Sequence, residues 1–263
     1  MKNGLKLGGA VRFAIMAFAT STLVACGTTY DVPTASDQSQ AMARAMFAEE
    51  AALGTGGTYI SRSEAGNRFN RVIRRIEPIA ENFCRSQNSG GFDCDVTIKV
   101  DSEMSVPNAY QTRGPDGRPV IAFSIPLLMD ARNDDEIAFI LSHEYGHLIA
   151  NHIGKAESQA QAGALILGAL TSAAGGQDVD RAMQIGASVG ARSYSQTYEL
   201  ESDYIATTIT RMAGYDTIRG ARYFARPSGQ SSGGTPSFLS THPSNISRLA
   251  LVIESSGKEL QRR

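Results

Sequence analysis

Residues 141–152 read LSHEYGHLIANH and contain three of the four histidines in a chain of 263 residues. His143-Glu144-Tyr145-Gly146-His147 is an H-E-x-x-H pattern within an apolar segment. On an α-helix, positions i and i+4 share a face, so both rings can grip one ion at about 2.0–2.1 Å from each ring nitrogen. Glu144, one position along, falls beside that ion. There it can take the proton of an attacking water and pass it to the leaving amine. With so few histidines, drawing this pattern by chance has odds of roughly one in several hundred. His152 lies five residues past His147, on a different face of the same helix, and reads as structural.

The flanking sequence places the motif on a capped helix. Asn133-Asp134-Asp135-Glu136 offers a side-chain acceptor for the free N-terminal amides, acids for the first turn and a glutamate at the capping-box position. The pattern of Ile137, Ile140, Leu141 and Leu148 predicts a helix running to about Ile153. Upstream, residues 95–100, 106–112 and 118–125 are short β-rich runs. The last two flank Arg113-Gly-Pro-Asp-Gly117, a turn signal that predicts a hairpin. Residues 120–124 read equally as an ordinary core strand or as an open edge that could pair with an extended peptide and lay a scissile carbonyl over the metal. Apolar residues recur at helical spacing over 41–53 and 64–85. The expected fold is α+β, mostly helical, with a small sheet beside the motif helix.

A catalytic zinc needs a third protein ligand and one open position. Residues 198–203, YELESD, sit in a second helical pattern ending near Gly214. Glu199 and Asp203 are four apart, so one can bind the ion while the other supports a ligand histidine from behind. Glu201 points roughly the other way. Spacing alone leaves Glu199 and Glu201 as rivals, with the partnership of Asp203 favouring Glu199.

The remaining sequence concerns location and partners. Residues 1–25 place Lys2, Lys6 and Arg12 before an apolar run, the layout of a secretory signal peptide. Leu23-Val24-Ala25-Cys26 resembles the bacterial lipobox, which predicts lipid attachment at Cys26 and a membrane anchor, and Gly27, by resemblance to enterobacterial sorting rules, favours the outer membrane. Residues 26–40 read as the lipidated tether and 41–263 as one metallopeptidase domain. The net charge is −1 with both signs interspersed, and loss of the three leader cations makes it about −4, which argues against nucleic acid. Cys84 and Cys94 remain as an even pair around a turn-rich loop, the expected disulfide of an exported protein, contributing about 2–3 kcal/mol by loop entropy. The Ala/Gly-rich stretch 159–176 is glycine-broken and short of the about 20 apolar residues of a membrane span, so it reads as a packed or lid helix, followed by another over 178–192.

H-E-x-x-H, then E-x-E-S-D, then Ala213-Gly-Tyr-Asp216, then Thr241-His242-Pro243 with a following Arg-Leu, resembles the gluzincin zinc metallopeptidase family of HtpX, Oma1 and the CAAX prenyl endopeptidases. Val106-Pro-Asn-Ala-Tyr110 matches the stretch before the motif. The lipid-anchored periplasmic branch, with LoiP and BepA, is similar. The resemblance implies a zincin-like fold with one Zn2+ per chain held by His143, His147 and Glu199, Glu144 as general base, and Asp203 behind a ligand. It places His242 near the zinc, either as a donor to the developing oxyanion or as an inhibitory fourth ligand, with the Gly/Ser-rich loop 228–236 free to let it move. The chain departs from the pattern at Gln196, commonly arginine, and at Ser202, commonly alanine.

These features predict a lipid-anchored zinc endopeptidase on the periplasmic face of the outer membrane, acting on misfolded or unassembled envelope polypeptides. The alternative is an outer-membrane protein assembly factor or chaperone with a latent zinc site, in contact with the assembly machinery. A peptidoglycan hydrolase lacks a wall-binding motif here.

Overall fold

The computed structural model describes residues 27–53, 60–87, 93–192, 195–227 and 237–258. The leader, Cys26 and the loop 228–236 lie outside these. The described chain forms two compact units, a body of residues 29–153 and 196–263 and a smaller unit that includes residues 154–195.

In the body, α1 (Asp37–Leu53) and α2 (Arg62–Gln87) precede β1 (Thr97–Asp101), β2 (Ala109–Arg113) and β3 (Pro119–Ser124). The helix α2 buries Ala65, Phe69, Val72, Ile76, Ala80 and Phe83, a stripe at three- and four-residue spacing. Cys84 at its end is disulfide-bonded to Cys94. Beyond the sheet come α3 (Ile125–Asp130) and the motif helix α4 (Asp134–Ile149). Fourteen of the residues of α4 are buried, including all from Asp135 to Gly146, so this helix is the axis of the core.

The turn at 113–117 does join an antiparallel hairpin, with Tyr110 opposite Ala122 and Arg113 opposite Pro119. Of the two readings of 120–124, the open edge is overturned and the core strand holds. β3 is the central strand, with β1 parallel on its other side, Thr97 opposite Val120 and Asp101 opposite Ser124. All six residues of β3 are buried, which explains its unbroken apolar run. The edge strands are β1 and β2.

The helix α4 starts as the sequence predicts, the Asn133 side chain accepting from Glu136 N at 3.0 Å. Its end differs. The helix stops at Ile149, Asn151 takes a left-handed conformation with φ 52°, and α5 (His152–Ala173) begins anew. Asparagine tolerates this region because its short polar side chain bonds locally. Periodicity could not show the break, since Ile153 continues the apolar pattern. The start of the body differs too. Within the stretch read as a tether, Tyr30 is 1% exposed, and α1 begins at Asp37 rather than near residue 41.

The C-terminal part carries α7 (Ser195–Met212), α8 (Thr217–Ala221), a 3-10 turn (Arg222–Ala225), α9 (Phe238–Thr241) and α10 (Ile246–Ser255). The Asp216 side chain of the Ala-Gly-Tyr-Asp stretch caps α8, accepting from Arg219 N at 2.9 Å. At α10 the cap is Asn245, accepting from Arg248 N.

In the smaller unit, α5 is followed by α6 (Val179–Arg192). A Cβ on Gly163 would lie 2.1 Å from the Gly186 carbonyl oxygen, so only glycine lets the two backbones touch. No helix among the described residues is long and apolar enough to cross a membrane.

Candidate metal centre

Three separated segments converge on one point inside the body. α4 brings His143, Glu144 and His147, α7 brings Glu199 and Asp203, and the turn after α9 brings His242. Gly146 makes the approach possible. A Cβ there would lie 2.8 Å from the Ser202 backbone, so the residue between the two motif histidines must lack one for α7 to pack against α4. That contact carries Glu199, rather than its rival Glu201, to the histidines.

The donor atoms are spaced as a tetrahedral cation requires. His143 Nε2 lies 3.1 Å from His147 Nε2 and 3.2 Å from His242 Nδ1. Glu199 oxygens lie 3.4 Å from each motif Nε2 and 3.0 Å from His242 Nδ1. A tetrahedron with ligand bonds of 2.0–2.1 Å has edges of about 3.3 Å. All four ligand atoms fall within 4.8 Å of one another. Two nitrogens and a carboxylate, with a third nitrogen closing the fourth corner, are a donor set suited to zinc. Glu144 is buried beside them. Its Oε1 has no hydrogen-bond partner among the described residues, and it faces His242 Nε2 at 3.6 Å. A buried carboxylate oxygen without a donor fits a site built to receive a polar guest.

Behind His143 stands a charged cluster. Asp203 Oδ1 lies 2.8 Å from His143 Nδ1. Arg248, 1% exposed, donates from Nε to Asp203 Oδ2 at 2.6 Å and from Nη2 to Oδ1 at 2.8 Å. Its Nη1 reaches Glu199 Oε2 at 3.0 Å and donates to the His242 carbonyl at 3.1 Å. One guanidinium thus holds a prospective ligand, the acid behind another, and the turn that presents His242. Its carbon lies 4.1 Å from the Phe224 ring centroid, a cation–π contact. The sequence reading assigned Arg248 no role, yet the residue opens the apolar run Leu249-Ala-Leu-Val252. A charge embedded there is the signal that it is buried and paired.

The electrostatics of the two histidines differ. Burial alone would lower His143, but the carboxylates of Asp203 and Glu199 prevail and raise it to about 9. For His147 burial prevails and its pKa falls, although it too meets Glu199. Asp203, which belongs to His143 alone, accounts for the difference. Burial would raise the Glu199 carboxyl, but His242 and Arg248 hold it well below the usual carboxylate range. Asp203 is also lowered, by Arg248 and His143 against burial. The acids are therefore anionic at neutral pH and attract a cation.

His152 is not where a continuous helix would put it. The break at Asn151 returns its ring to His147, with Nδ1 2.9 Å from Nδ1. Its Nε2 meets Glu201 Oε2 at 3.0 Å, and its ring stacks on Tyr198 at 4.2 Å. Ser202, the departure from alanine, has its hydroxyl 3.3 Å from His152 Nδ1. Gln196, the other departure, is exposed. A cleft lined by Gln111 and Arg113 of β2, with Pro119, His147, Leu148 and Asn151, opens beside the site.

Comparison with known proteins gives this arrangement a family. The profile of Peptidase family M48 matches residues 67–255, from α2 to the end of α10, and the chain belongs to that family. The chain is 29% identical over 156 residues to the mitochondrial metalloendopeptidase OMA1 of Saccharomyces cerevisiae, a match over 57% of this chain and 44% of the yeast protein. It is 28% identical over 137 residues to the beta-barrel assembly-enhancing protease of Escherichia coli K12, over 45% of this chain and 26% of that protein. Both alignments thus span less than half of the relative. No solved structure matches.

Proposed function

We propose that the chain is a zinc endopeptidase of the bacterial cell envelope, lipid-anchored through Cys26, which cleaves misfolded or unassembled polypeptides. The observation that carries the reading is the convergence of His143, His147, Glu199 and His242 donor atoms with, at their side, a buried Glu144 oxygen that has no hydrogen-bond partner among the described residues. The disulfide and the leader support an exported chain.

A bound zinc would polarise the peptide carbonyl and bring the pKa of a water toward about 7. The residues supply the rest. His143, His147 and Glu199 would hold the ion, Asp203 and Arg248 fix His143 and Glu199, and Glu144 is placed to accept the proton of the attacking water and deliver it to the leaving amine. The edge of β2, whose Gln111 and Arg113 line the cleft beside His147, is the strand suited to pair with a substrate backbone. Such pairing reads backbone shape more than side chains, which suits unfolded substrates.

The place of His242 Nδ1 at the fourth corner supports a closing ligand over an oxyanion donor, a geometry of latency. It also favours the second reading, an assembly factor for outer-membrane proteins that holds clients and cuts rarely. Turnover of an unfolded polypeptide separates the two. Exchange of Glu144 for Gln lowers cleavage by about 10²–10⁴-fold with zinc retained, and His242→Ala raises it. Undiminished cleavage by Glu144→Gln contradicts the assignment of the base, and no cleavage by the wild type or by His242→Ala favours the assembly factor.

A further inference from the structure

Resting on the reading of the site as a zinc centre, we propose that His152 and Glu201 are positioning residues for the ligand His147, and that the backbone amides of Thr29 and Tyr30 complete the chain, tying the N-terminal segment into the metal site.

His147 Nε2 faces the donor cluster, 3.1 Å from His143 Nε2 and 3.4 Å from Glu199 Oε1, so its lone pair is turned to the ion and its proton must sit on Nδ1. The atom opposite that proton is His152 Nδ1, which has to accept. A neutral imidazole that accepts at Nδ1 carries its proton on Nε2, and this atom faces Glu201 Oε2, a carboxylate oxygen that can only accept. The other oxygen of Glu201 accepts from the backbone amides of Thr29 and Tyr30, the latter at 2.7 Å. Every bond along the path has one consistent direction, from His147 to the buried carboxylate.

The surroundings hold this path rigid. Glu201 is 0% and His152 4% exposed, so water does not compete for either. Tyr198 stacks on the His152 ring with an interplanar angle of 18°. Asn151 in its left-handed conformation turns the chain so that a residue from the next helix can reach back to His147. Tyr30 is itself buried, and its hydroxyl reaches Gln87 on α2. A hydrogen bond to the far nitrogen of a ligand imidazole fixes ring orientation and raises its basicity, and its loss typically lowers metal affinity about 10–100-fold. Here the partner is a second imidazole, with the carboxylate one ring further away. The last link is the backbone three and four residues beyond Cys26.

The test is zinc affinity of the folded full-length chain by chelator competition, with the visible spectrum of the Co2+-loaded protein as a reporter of ligand geometry. His152→Leu, which can neither accept nor donate, is expected to weaken zinc about 10–100-fold and to shift the cobalt bands. His152→Gln, with an acceptor and a donor, restores most of the affinity and the wild-type spectrum. Glu201→Gln keeps volume, serves if the leucine variant does not fold, and weakens zinc toward the lower end of that range. Thr29→Pro removes one amide donor and gives a smaller loss in the same direction. If His152→Leu or Glu201→Gln binds zinc as tightly as the wild type with an unchanged cobalt spectrum, the chain only packs the core and the inference falls. If the wild type itself binds no zinc, the reading of the site falls instead.

Discussion

His143 and His147 leave the same helix one turn apart, yet they are backed by different chemistry. Behind His143 lies a charged cluster, with Asp203 on its Nδ1 and Arg248 forked across that carboxylate. Behind His147 lies an uncharged ring, His152, with its carboxylate one step further off. Position along α4 explains the contrast. His143 lies mid-helix, where α7 and α10 pack against it and can present an acid and a cation. His147 lies in the last turn, next to a chain reversal, and the reversal supplies its partner. A side chain in the middle of a helix is fixed by tertiary packing, and one at the end can be fixed by its own chain.

The contrast is sharpened by removing one member from each side. The charged side should suffer most. Asp203→Asn leaves the Arg248 guanidinium buried with its main counter-charge gone, and is expected to destabilise the metal-free protein by about 3–5 kcal/mol. Urea denaturation in the presence of chelator measures this. A loss under about 1 kcal/mol would show that the cluster adds little to the fold and that the two sides are alike. His152→Leu comes next, as set out above, acting on metal affinity. The smallest effect belongs to Ser202→Ala. Its hydroxyl competes for a His152 nitrogen that the His147 proton already occupies, so stability should change by about 1 kcal/mol or less, with zinc affinity unchanged. A tenfold loss of affinity would instead make Ser202 the true donor and break the proposed direction of the chain.

What was legible in the sequence follows the same division between local and distant causes. The H-E-x-x-H pair, the Asn133 cap and the turn at 113–117 are set by neighbours within a few residues, and each appears in the structure where its spacing puts it. The choice between Glu199 and Glu201 was not local. It depends on which face of α7 meets Gly146, a contact between residues far apart in the chain. The parallel partner of β3 was hidden for the same reason, since β1 and β3 join around an intervening strand. His152 was misplaced because a single left-handed residue, invisible to helical periodicity, redirects the chain. Arg248 stood in plain view as a cation in an apolar helix, but its partners Glu199, Asp203 and Phe224 lie far from it in the chain. The burial of Tyr30 had no signal in its polar surroundings.

The most direct measurement is metal analysis of the purified full-length chain beside its Glu199→Ala variant. One zinc per wild-type chain, and loss of most of it when Glu199 is removed, is the outcome that four converging donors predict. A wild type without a transition metal, or a Glu199→Ala protein that keeps a full complement, would contradict it.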